Sequence, residues 1–403
     1  MTMQELPLSG YRVLDLTNVL AGPYCCYQLA LMGAEVIKVE RPQGGDLARQ
    51  LGADIARNRD LMGASFLAQN GAKKSLCLDL KSARGREILL RLVETADVLV
   101  ENFRPGVMDK LGLGYEALKE TNPRMVYCAI SGFGQTGPLR DNPAYDQIIQ
   151  GLSGIMSVTG DRDSAPLRVG FPVSDTVGGM TAAFAVASAL AGRGTDGAGR
   201  MIDVSMLEAS LSVMAWSVSN FLIAGMTPTP MGNDNATASP SGAFRTGEGL
   251  LNIAANKQEQ FEALARLVGK PEWLDDPRFA EREARKVHRE ALTHALERAL
   301  GARPARDWAA LLNQAGIPSG EVLDVPEALA QPQITERGLV HSYGDDGEGA
   351  QNVHVMGAGF LVDGTRPMPA SPPRRLGADT HAILTSLGLT DEDIARLRAN
   401  RII

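Results

Sequence analysis

The feature that most constrains the fold is the alternation of apolar strand patterns with helical patterns over the first 130 residues. Runs typical of buried strands occur at 11–17, 35–40, 75–80, 97–102 and 124–131. Helical segments such as GPYCCYQLALMGA and SARGREILLRLVETA separate them. Because parallel strands need a crossover connection, usually a helix, this order predicts an α/β domain with a parallel sheet.

The rest of the chain predicts further regions. Residues 176–225 are mostly apolar and helical, 245–256 suggest strands around a turn, and a charged helical stretch runs from 257 to about 315. A final helix pair closes the chain. We therefore expect a large domain from residues 1–205 and 326–403, a small α+β domain from 226–325, and a linker helix at 206–225.

Charge and cysteine content argue against several classes of function. The net charge of −7 disfavours non-specific nucleic-acid binding, which needs a basic surface. Four cysteines, two of them adjacent, form neither a disulfide framework nor a metal-ligand spacing. The sequence also lacks H-E-x-x-H, C-x-x-C and G-x-S-x-G, so we expect no metal site and no serine-hydrolase elbow.

We expect a cytoplasmic protein without a membrane partner. The N-terminus lacks the basic and then apolar segments of a signal peptide. The uncharged run 176–192 would span only ~25 Å as a helix, short of the ~30 Å hydrocarbon core. The run 210–233 is longer but contains two prolines and many hydroxyl residues. Both are expected to be helices inside a large protein.

The string GFGQTG, residues 132–137, has the spelling of a dinucleotide-binding turn. Such a turn belongs after the first strand and opens a helix. Here the first turn lacks the glycine pattern, and GFGQTG follows the fifth strand and runs into Pro138. A loop bordering a cleft is the better interpretation, and NAD binding is disfavoured.

Asp175 is the carboxylate that the pattern singles out. It lies in VSDTVGGM, just before an apolar helix rich in small residues. An N-cap and a catalytic carboxylate are both open from the spacing, because Asp is a favoured cap and a helix N-terminus also stabilises a negative charge. Gly178 and Gly179 are expected to let a ligand approach the backbone.

A basic set follows or precedes strands of the first domain. It comprises Arg41, Lys73, Lys74, Arg104 and Lys110. Each alone is a typical surface charge. Since open α/β sheets bind ligands at the carboxyl ends of their strands, together these residues could receive a phosphorylated molecule.

Several strings closely resemble the class III CoA-transferases, the family of formyl-CoA:oxalate CoA-transferase, the carnitine CoA-transferases and α-methylacyl-CoA racemase. They include VLDLTNVLAGPYCCYQLALMGAEVIKVERPQGGD, ADVLVENFRPGVMDKLGLGYE, YCAISGFGQTGP and PAYDQIIQGLSGIMSVTG. VSDTVGGM, GRMIDVSMLEA and RRLGADTHAILTSLGLT continue the likeness. It spans nearly the whole chain.

The resemblance implies a Rossmann-like large domain with a parallel sheet built from both chain ends, and a small domain inserted between them. It implies an interlocked homodimer. It also implies that the chain binds coenzyme A, as an acyl-CoA substrate and product, together with a small carboxylic acid, and holds no tightly bound cofactor.

By the same resemblance, Asp175 is the catalytic nucleophile, and Tyr145 and Asp146 line the active site behind it. The implied chemistry is attack by a carboxylate on a thioester, which conserves the thioester's energy in a covalent intermediate. Racemases of the family carry a histidine where this chain has Tyr145. Because a tyrosine with a pKa near ~10 is a poor proton shuttle, racemization is disfavoured.

The CoA-binding positions come from the resemblance as well. They are Asn18, Val19, Leu20, Arg41, Leu78, Asp79, Lys81, Asn102, Phe103, Arg104 and Lys110. Leu20 stands where the formyl-CoA enzyme has a catalytic glutamine, a departure that argues against oxalate as the acceptor.

The loop MGNDNATASPSGAF, residues 231–244, is expected to face the acceptor acid. Its candidate residues are Gly232, Asn233, Asn235, Ser239 and Ser241. Their polar character suggests a dicarboxylic or hydroxy-dicarboxylic acceptor, with succinyl-CoA as the donor. A racemase or isomerase of the same family and a non-catalytic acyl-CoA-binding protein are the alternatives.

Overall fold

A computed structural model describes residues 6–344 and 353–403. Its backbone contacts divide the chain into two compact units. The first contains the described residues up to Ile155, Arg168–Met226 and the described residues from Gln333 onward. The second contains Met156–Leu167 and Thr227–Pro332. The domain boundaries expected from the sequence stay predictions.

The strands are numbered in chain order. They are β1 Arg12–Leu16, β2 Glu35–Glu40, β3 Lys73–Cys77, β4 Val98–Glu101, β5 Val126–Ser131, β6 Met201–Ser205, β7 Ser241–Arg245, β8 Leu250–Ala254, β9 Ser319–Glu321, β10 Val340–Ser342 and β11 His354–Met356.

The α-helices are numbered in the same way. They are α1 Ala21–Leu31, α2 Ile55–Arg59, α3 Ala64–Leu67, α4 Ala83–Val93, α5 Val107–Lys110, α6 Tyr115–Thr121, α7 Asp146–Leu152, α8 Ile155–Val158, α9 Val173–Asp196, α10 Met206–Val213, α11 Trp216–Ala224, α12 Gln258–Leu267, α13 Arg282–Val287, α14 Arg289–Leu300, α15 Ala305–Gln314, α16 Val325–Ala330, α17 Pro332–Glu336, α18 Thr380–Ser386 and α19 Asp391–Ala399. Short 3-10 helices occupy Leu47–Gln50 and Pro271–Leu274.

The first unit is built on a six-stranded sheet in the order β3-β2-β1-β4-β5-β6, with every neighbouring pair parallel. This is the strand order of a doubly wound α/β fold, in which the order reverses between the first and fourth strands. The predicted α/β class and parallel sheet are confirmed.

Helices cover both faces of this sheet. Successive side chains of a strand point to opposite faces, so one strand contributes residues to the cores on both sides. Leu99 of β4 packs in a core with helices α4, α6, α18 and α19. Its neighbours Val98 and Val100 pack in the other core, with α1, α9 and α10. With both faces buried, the strands read as continuous apolar runs, which is why the sequence identifies them.

Two features of the sheet differ from the sequence expectation. Strand β6 lies inside the region that the sequence predicts to be helical. The strand is hard to identify from the sequence because it is only five residues long, half-exposed and flanked by two apolar helices. In the described residues all six strands lie between Arg12 and Ser205, whereas the C-terminal segment contributes α18 and α19 to one core. The sheet itself is therefore not built from both chain ends.

The second unit has its own sheet and core. Strands β7, β8 and β9 form an antiparallel sheet in that order. Phe244 and Leu251 from the sheet pack with Phe261, Leu296 and Trp308 from α12, α14 and α15. The strands around a turn and the charged helices expected in this region are confirmed.

Helix α9 is long and apolar enough between Val173 and Arg193 to cross a membrane by length and composition alone. The pair α10 and α11 passes the same test as one span bent by 80°. One side of α9 packs in the core of the first unit through Ala182, Val186 and Leu190. Of the apolar window within this helix, 39% is buried.

Candidate active site

The reversal of strand order places a crevice at the carboxyl ends of β1 and β4, where open α/β sheets bind ligands. Asn18 follows β1 and Asn102 follows β4. Their contact is reciprocal: the Asn18 N–H donates to Asn102 Oδ1 at 2.8 Å, and Asn102 Nδ2 donates to the Asn18 carbonyl at 2.8 Å. This pair joins the two strand ends at the point of reversal.

A pocket of about 250 Å³ lies at the ends of these strands. Its lining residues are Leu16, Asn18, Val39, Glu40, Arg41, Leu78, Asp79, Leu80, Lys81, Phe103, Val107 and Leu111. Seven of the twelve are apolar, and the charged residues are the cations Arg41 and Lys81 and the carboxylates Glu40 and Asp79. An apolar slot with a few charged groups suits a planar base carrying phosphates.

Six of the positions expected to bind CoA line this pocket, namely Asn18, Arg41, Leu78, Asp79, Lys81 and Phe103. Val19, Leu20 and Asn102 belong to or contact the turn between β1 and α1. Arg104 and Lys110 are exposed and flank Val107 of the pocket wall. The first unit thus brings the expected CoA positions to one edge of the sheet, and their roles stay predictions.

Lys73 and Lys74 do not join this basic set, because both lie at the amino end of β3. Lys74 pairs with Glu35 on the surface. Lys73 is buried, and its ammonium donates to Asp15 Oδ2 at 2.9 Å and to the Pro23 carbonyl at 2.8 Å. The idea that these two lysines receive a phosphate is therefore wrong.

Lys73 belongs to a group of four buried charges that we name the Asp15 cluster: Asp15, Lys38, Asp46 and Lys73. All are at most 3% exposed. Lys38 Nζ lies 2.9 Å from Asp46 Oδ2 and 3.8 Å from Asp15 Oδ1. With two carboxylates and two ammonium groups, the cluster is electrically balanced.

The pKa values of Asp15 and Lys38 favour the charged forms of these two groups. Burial alone would raise the pKa of Asp15, but the charges of Lys38 and Lys73 lower it overall. Burial would likewise lower the pKa of Lys38, yet the carboxylates of Asp15, Asp46 and Glu40 raise it overall. Asp15 and Lys38 are therefore both charged around neutral pH.

The cluster underlies the β1–α1 turn, residues 17–20. Lys38 donates to the Thr17 carbonyl at 2.8 Å, and Asp46 Oδ1 accepts the Val19 N–H at 2.9 Å. Val19 has a φ of +67°, in the left-handed region. For a β-branched residue this conformation is an outlier that costs about 1–3 kcal/mol and persists only where surrounding contacts impose it.

Asp175 is the third residue of α9 and not its cap. The cap position belongs to Pro172, whose side chain makes no capping bond. Asp146 of α7 takes over that role, because its Oδ1 accepts the backbone N–H of Ser174 at 2.8 Å and of Asp175 at 3.3 Å. Its Oδ2 accepts from Gln150 at 2.6 Å. The N-cap interpretation of Asp175 is wrong.

The Asp175 side chain is half-buried, and within the described residues no donor reaches its carboxylate. Burial, and then the negative charge of Asp146, raise the pKa of Asp175 to about 7. A carboxylate with a raised pKa is more basic, and therefore a stronger nucleophile when ionised, than an ordinary surface Asp.

Protein atoms occupy the space beside both glycines that follow Asp175. A Cβ on Gly179 would lie 2.4 Å from the Ala21 carbonyl oxygen, and one on Gly178 would lie 3.0 Å from Met206. Close helix packing therefore accounts for them, where the sequence had suggested room for a ligand. The Gly179 contact sets the start of α1 against the first turns of α9, one turn beyond Asp175.

Tyr145 and the GFGQTG loop complete the surroundings of α7. Tyr145 occupies the cap position of α7, and the residue is 68% exposed. The loop after β5 is held to β6, because Gln135 N–H donates to Asp203 Oδ2 at 2.9 Å. No helix begins within it; the next one starts at Asp146. The interpretation of GFGQTG as a loop is confirmed.

The second unit holds a separate polar cavity of about 620 Å³. Its lining residues are Asn233, Asp234, Asn235, Ala236, Ser241, Gly242, Asn252, Ile253, Ala254, Pro318, Ser319 and Gly320. Three of the expected acceptor residues, Asn233, Asn235 and Ser241, are among them. Gly232 and Ser239 are outside this lining.

Asn235 is oriented by its own loop. Its Oδ1 accepts the Thr237 N–H and the Thr237 hydroxyl, each at 2.8 Å. The amide NH₂ is left as the group that can donate to a ligand. The cavity thus offers amide and hydroxyl donors, which suit a carboxylate or hydroxyl oxygen.

Sequence reasoning missed Lys38, Asp46 and the pairing of Lys73 with Asp15. A signal was present: Lys38 stands in the middle of the buried strand EVIKVE, and Asp15 in the buried strand RVLDL. Strands buried on both faces are near-continuous apolar runs, so a charged residue within one indicates a buried ion pair.

The first unit therefore combines a pocket suited to a nucleotide and, on a neighbouring segment, a carboxylate whose pKa is raised to about 7. Such a carboxylate can attack an electrophilic carbonyl without a general base, since the ionised form already carries the electron pair. The geometry fits acyl transfer through a covalent intermediate. Within the described residues no group of His, Cys, Asp and Glu could hold a metal ion.

Comparison with known proteins gives a consistent result. The model of "CoA-transferase family III" matches residues 8–380. The acetyl-CoA:oxalate CoA-transferase of Acetobacter aceti is 42% identical over 335 residues, which cover 83% of this chain and 85% of that protein. The succinate–glutarate CoA-transferase of Agrobacterium fabrum is 38% identical over 342 residues, covering 84% and 86%.

Solved structures agree with these sequence matches. The crystal structure of a CAIB/BAIF family protein from Brucella suis superposes with a TM-score of 0.85 at 35% identity. The alignment covers 95% of this chain and 100% of that one.

Proposed function

This chain belongs to CoA-transferase family III, and on that premise we propose that it moves CoA from a donor acyl-CoA to a small dicarboxylic acid through covalent intermediates on Asp175. The expected family and enzyme class are confirmed. Succinyl-CoA is the proposed donor. Relatives named for succinate, glutarate and oxalate support a dicarboxylic substrate.

The proposed reaction has four steps. The Asp175 carboxylate attacks the donor thioester, which forms an acyl–aspartyl anhydride and releases CoA thiolate. The thiolate attacks the aspartyl carbonyl, which gives an aspartyl-CoA thioester and frees the donor acid. The acceptor carboxylate attacks this thioester, which forms an acceptor–aspartyl anhydride and releases the CoA thiolate again. The thiolate then attacks the acceptor's carbonyl in this anhydride, which gives the acceptor's CoA thioester and releases the Asp175 carboxylate. No proton changes hands.

The observation that carries the proposal is the state of Asp175. It is half-buried in the first turn of a helix, no donor from residues 6–344 or 353–403 reaches its carboxylate, and its pKa is raised to about 7. A carboxylate held for structural reasons would have donors or a cation, as Asp146 has. Asp175 keeps its lone pairs for an incoming carbonyl.

Mass spectrometry tests the covalent step. The protein is incubated with a panel of acyl-CoAs, quenched and digested, beside the Asp175→Asn variant. We expect an acyl or CoA mass on the peptide that contains position 175 in the wild type alone. Steady CoA exchange without that mass, or the same adduct in the variant, would overturn the proposal. Exchange of the substrate α-proton with solvent would support the racemase alternative.

An acid panel tests the acceptor class. Amide and hydroxyl groups in the cavity of the second unit, among them Asn235 and Ser241, support a polar acid with more than one oxygen-bearing group. With succinyl-CoA as donor we expect dicarboxylates to react faster than monocarboxylates of equal length. Oxalate belongs in the panel because two observations disagree about this acid. Leu20 argues against oxalate as the acceptor, whereas one relative is named an acetyl-CoA:oxalate CoA-transferase. Turnover with monocarboxylates alone would overturn this part.

We also propose a homodimer, with the two chains interlocked. Helix α11 has no buried residue, and Trp216, Leu222 and Ile223 are 77%, 73% and 86% exposed. An exposed apolar surface of this kind marks an association site. Light scattering should give twice the chain mass of 42.9 kDa; a monomer, or binding to liposomes, would overturn the proposal. We also propose that the protein is cytoplasmic, as the sequence predicts.

A further inference from the structure

The β1–α1 turn lies between the two parts of the candidate active site. At one end Asn18 lines the pocket at the carboxyl edge of the sheet. At the other end the Ala21 carbonyl packs against α9 at Gly179, one helical turn from Asp175. A shift of this turn would therefore move the pocket wall relative to the nucleophile's helix.

Four side chains from outside the turn hold its backbone. Lys38 donates to the Thr17 carbonyl, and Asn102 exchanges two hydrogen bonds with Asn18. Asp46 accepts the Val19 N–H, and Gln69 donates to the Val19 carbonyl at 3.2 Å. Each anchor comes from a different segment of the first unit. A turn with favourable intrinsic geometry would not need so many.

Val19 is the residue for which these anchors matter most. Its φ of +67° is disfavoured for a β-branched side chain, which would return to negative φ if released. The hydrogen bond to Asp46 fixes the direction of the Val19 N–H, and therefore the orientation of the peptide plane that precedes Val19. Asp46 is 1% exposed, and its other oxygen pairs with Lys38, so it cannot swing away.

Resting on the proposed function, we propose that Asp46 is a positioning residue for the transfer reaction. Together with Lys38 it imposes the left-handed conformation on Val19, and this conformation sets the β1–α1 turn between the CoA pocket and the helix of Asp175. Asp46 itself touches neither substrate nor the reacting atoms. Its effect is expected on the covalent step more than on CoA affinity.

A double-mutant cycle tests this role. Its four proteins are the wild type, Asp46→Ala, Val19→Gly and the combined variant. Glycine adopts positive φ without strain, so the turn no longer depends on Asp46 to hold that conformation. We expect Asp46→Ala to slow adduct formation on Asp175 about tenfold or more with valine at position 19, and less than about threefold with glycine.

Two further variants separate positioning from folding. Asp46→Asn keeps the shape of the side chain while removing the charge that pairs with Lys38. Asp46 caps the 3-10 helix Leu47–Gln50, because its Oδ1 accepts the Ala48 N–H at 2.9 Å. Asp54→Ala is the matched control, since Asp54 caps α2 in the same way, by accepting the Ala56 and Arg57 N–H groups. Asp54→Ala should lower the melting temperature without changing the rate per folded molecule. CoA affinity, by calorimetry, should stay within about threefold in the single Asp46 and Asp54 variants.

Hydrogen exchange at the Val19 amide gives a readout that does not need activity. Loss of protection at this amide in Asp46→Ala, but not in Asp54→Ala, is expected. Equal rate losses in both Val19 backgrounds, or unchanged protection, would overturn the role of Asp46. If the wild type itself formed no adduct, the proposed function would fail, and exchange at Val19 alone would decide whether Asp46 holds the turn.

Discussion

The Asp15 cluster and the Asp146–Asp175 pair are two sites of the first unit in which carboxylates are shielded from water. They differ in whether neighbouring groups compensate the carboxylate charges. In the cluster, two carboxylates meet two ammonium groups, and each charge is at most 3% exposed. In the pair, two carboxylates lie side by side, and among the described residues hydrogen-bond donors reach the carboxylate of Asp146 but not that of Asp175. One site balances its charges; the other leaves one charge uncompensated.

The difference separates holding from reacting. A balanced group of ions gains little by changing its protonation or bonding, so it can fix the backbone around it. An uncompensated carboxylate is raised in free energy when ionised, and forming a covalent bond removes that charge. The cluster thus suits the β1–α1 turn, and the pair suits an enzyme that makes an ester-like bond to its own side chain.

The largest expected effect comes from removing the uncompensated carboxylate. Asp175→Asn should reduce kcat by about 10³-fold or more, because the amide cannot form the anhydride. CoA affinity should stay within about threefold, since the pocket is formed by other residues. Steady-state kinetics and calorimetry measure the two quantities. A variant that exchanges CoA at the wild-type rate would contradict the assignment of the nucleophile.

Breaking the balanced site should instead cost stability. Lys38→Met leaves Asp15 and Asp46 buried with fewer partners, and we expect a loss of about 3–5 kcal/mol in the free energy of unfolding. Chemical denaturation measures it. The matched surface change is Lys74→Met, whose ion pair with Glu35 is exposed and should matter by less than about 1 kcal/mol. Equal effects would show that the cluster is not held as described.

The pH dependence sharpens the comparison further. The attacking group is the ionised form of Asp175, whose pKa is about 7, so the rate of adduct formation should fall about tenfold per pH unit below that value. Removing the neighbouring charge in Asp146→Asn should move this limb to lower pH. Asp141→Asn, an exposed carboxylate in a nearby loop, should leave it in place. If the acidic limb of the pH–rate profile stays at the same pH in Asp146→Asn, the charge of Asp146 does not raise the pKa of Asp175.

The smallest expected effect is on stability at alkaline pH. The pKa of Asp175 is about 7 in the folded protein and near ~3.9 in the unfolded chain. Between these two pH values the folded protein therefore keeps a proton on Asp175, whereas the unfolded chain has released it. Folding therefore loses stability as pH rises through this window. Asp175→Asn cannot ionise and should be more stable than the wild type by about 1–3 kcal/mol at pH 8, and by almost nothing at pH 4. Thermal or chemical unfolding at both pH values measures this.

Much of the fold could be predicted from the sequence because its signals are local. The strand from Glu35 to Glu40 was expected with those same bounds, and five of the six strands of the parallel sheet were found from apolar runs between helices. Strand β6 was missed because MIDVS is short, half-exposed and has no continuous apolar pattern.

The site divided along the same line. The position of Asp175 before an apolar helix indicated a cap or a nucleophile, and the spacing could not choose between them. Asp146 decides the matter from 29 residues away, by occupying the N–H groups that a cap would bind. Lys73 shows the converse, since its place beside a strand suggested a surface charge and the structure buries it against Asp15.

By itself, the sequence determined the elements and the chemistry on offer: which segments are buried strands, which carboxylate begins the long helix, and which family motifs the chain carries. Only the tertiary structure decided which charges are balanced and which are not. The physical reason is that propensity and periodicity act over a few residues. The protonation and freedom of a carboxylate, in contrast, depend on groups that the fold brings within about 4 Å from distant parts of the chain.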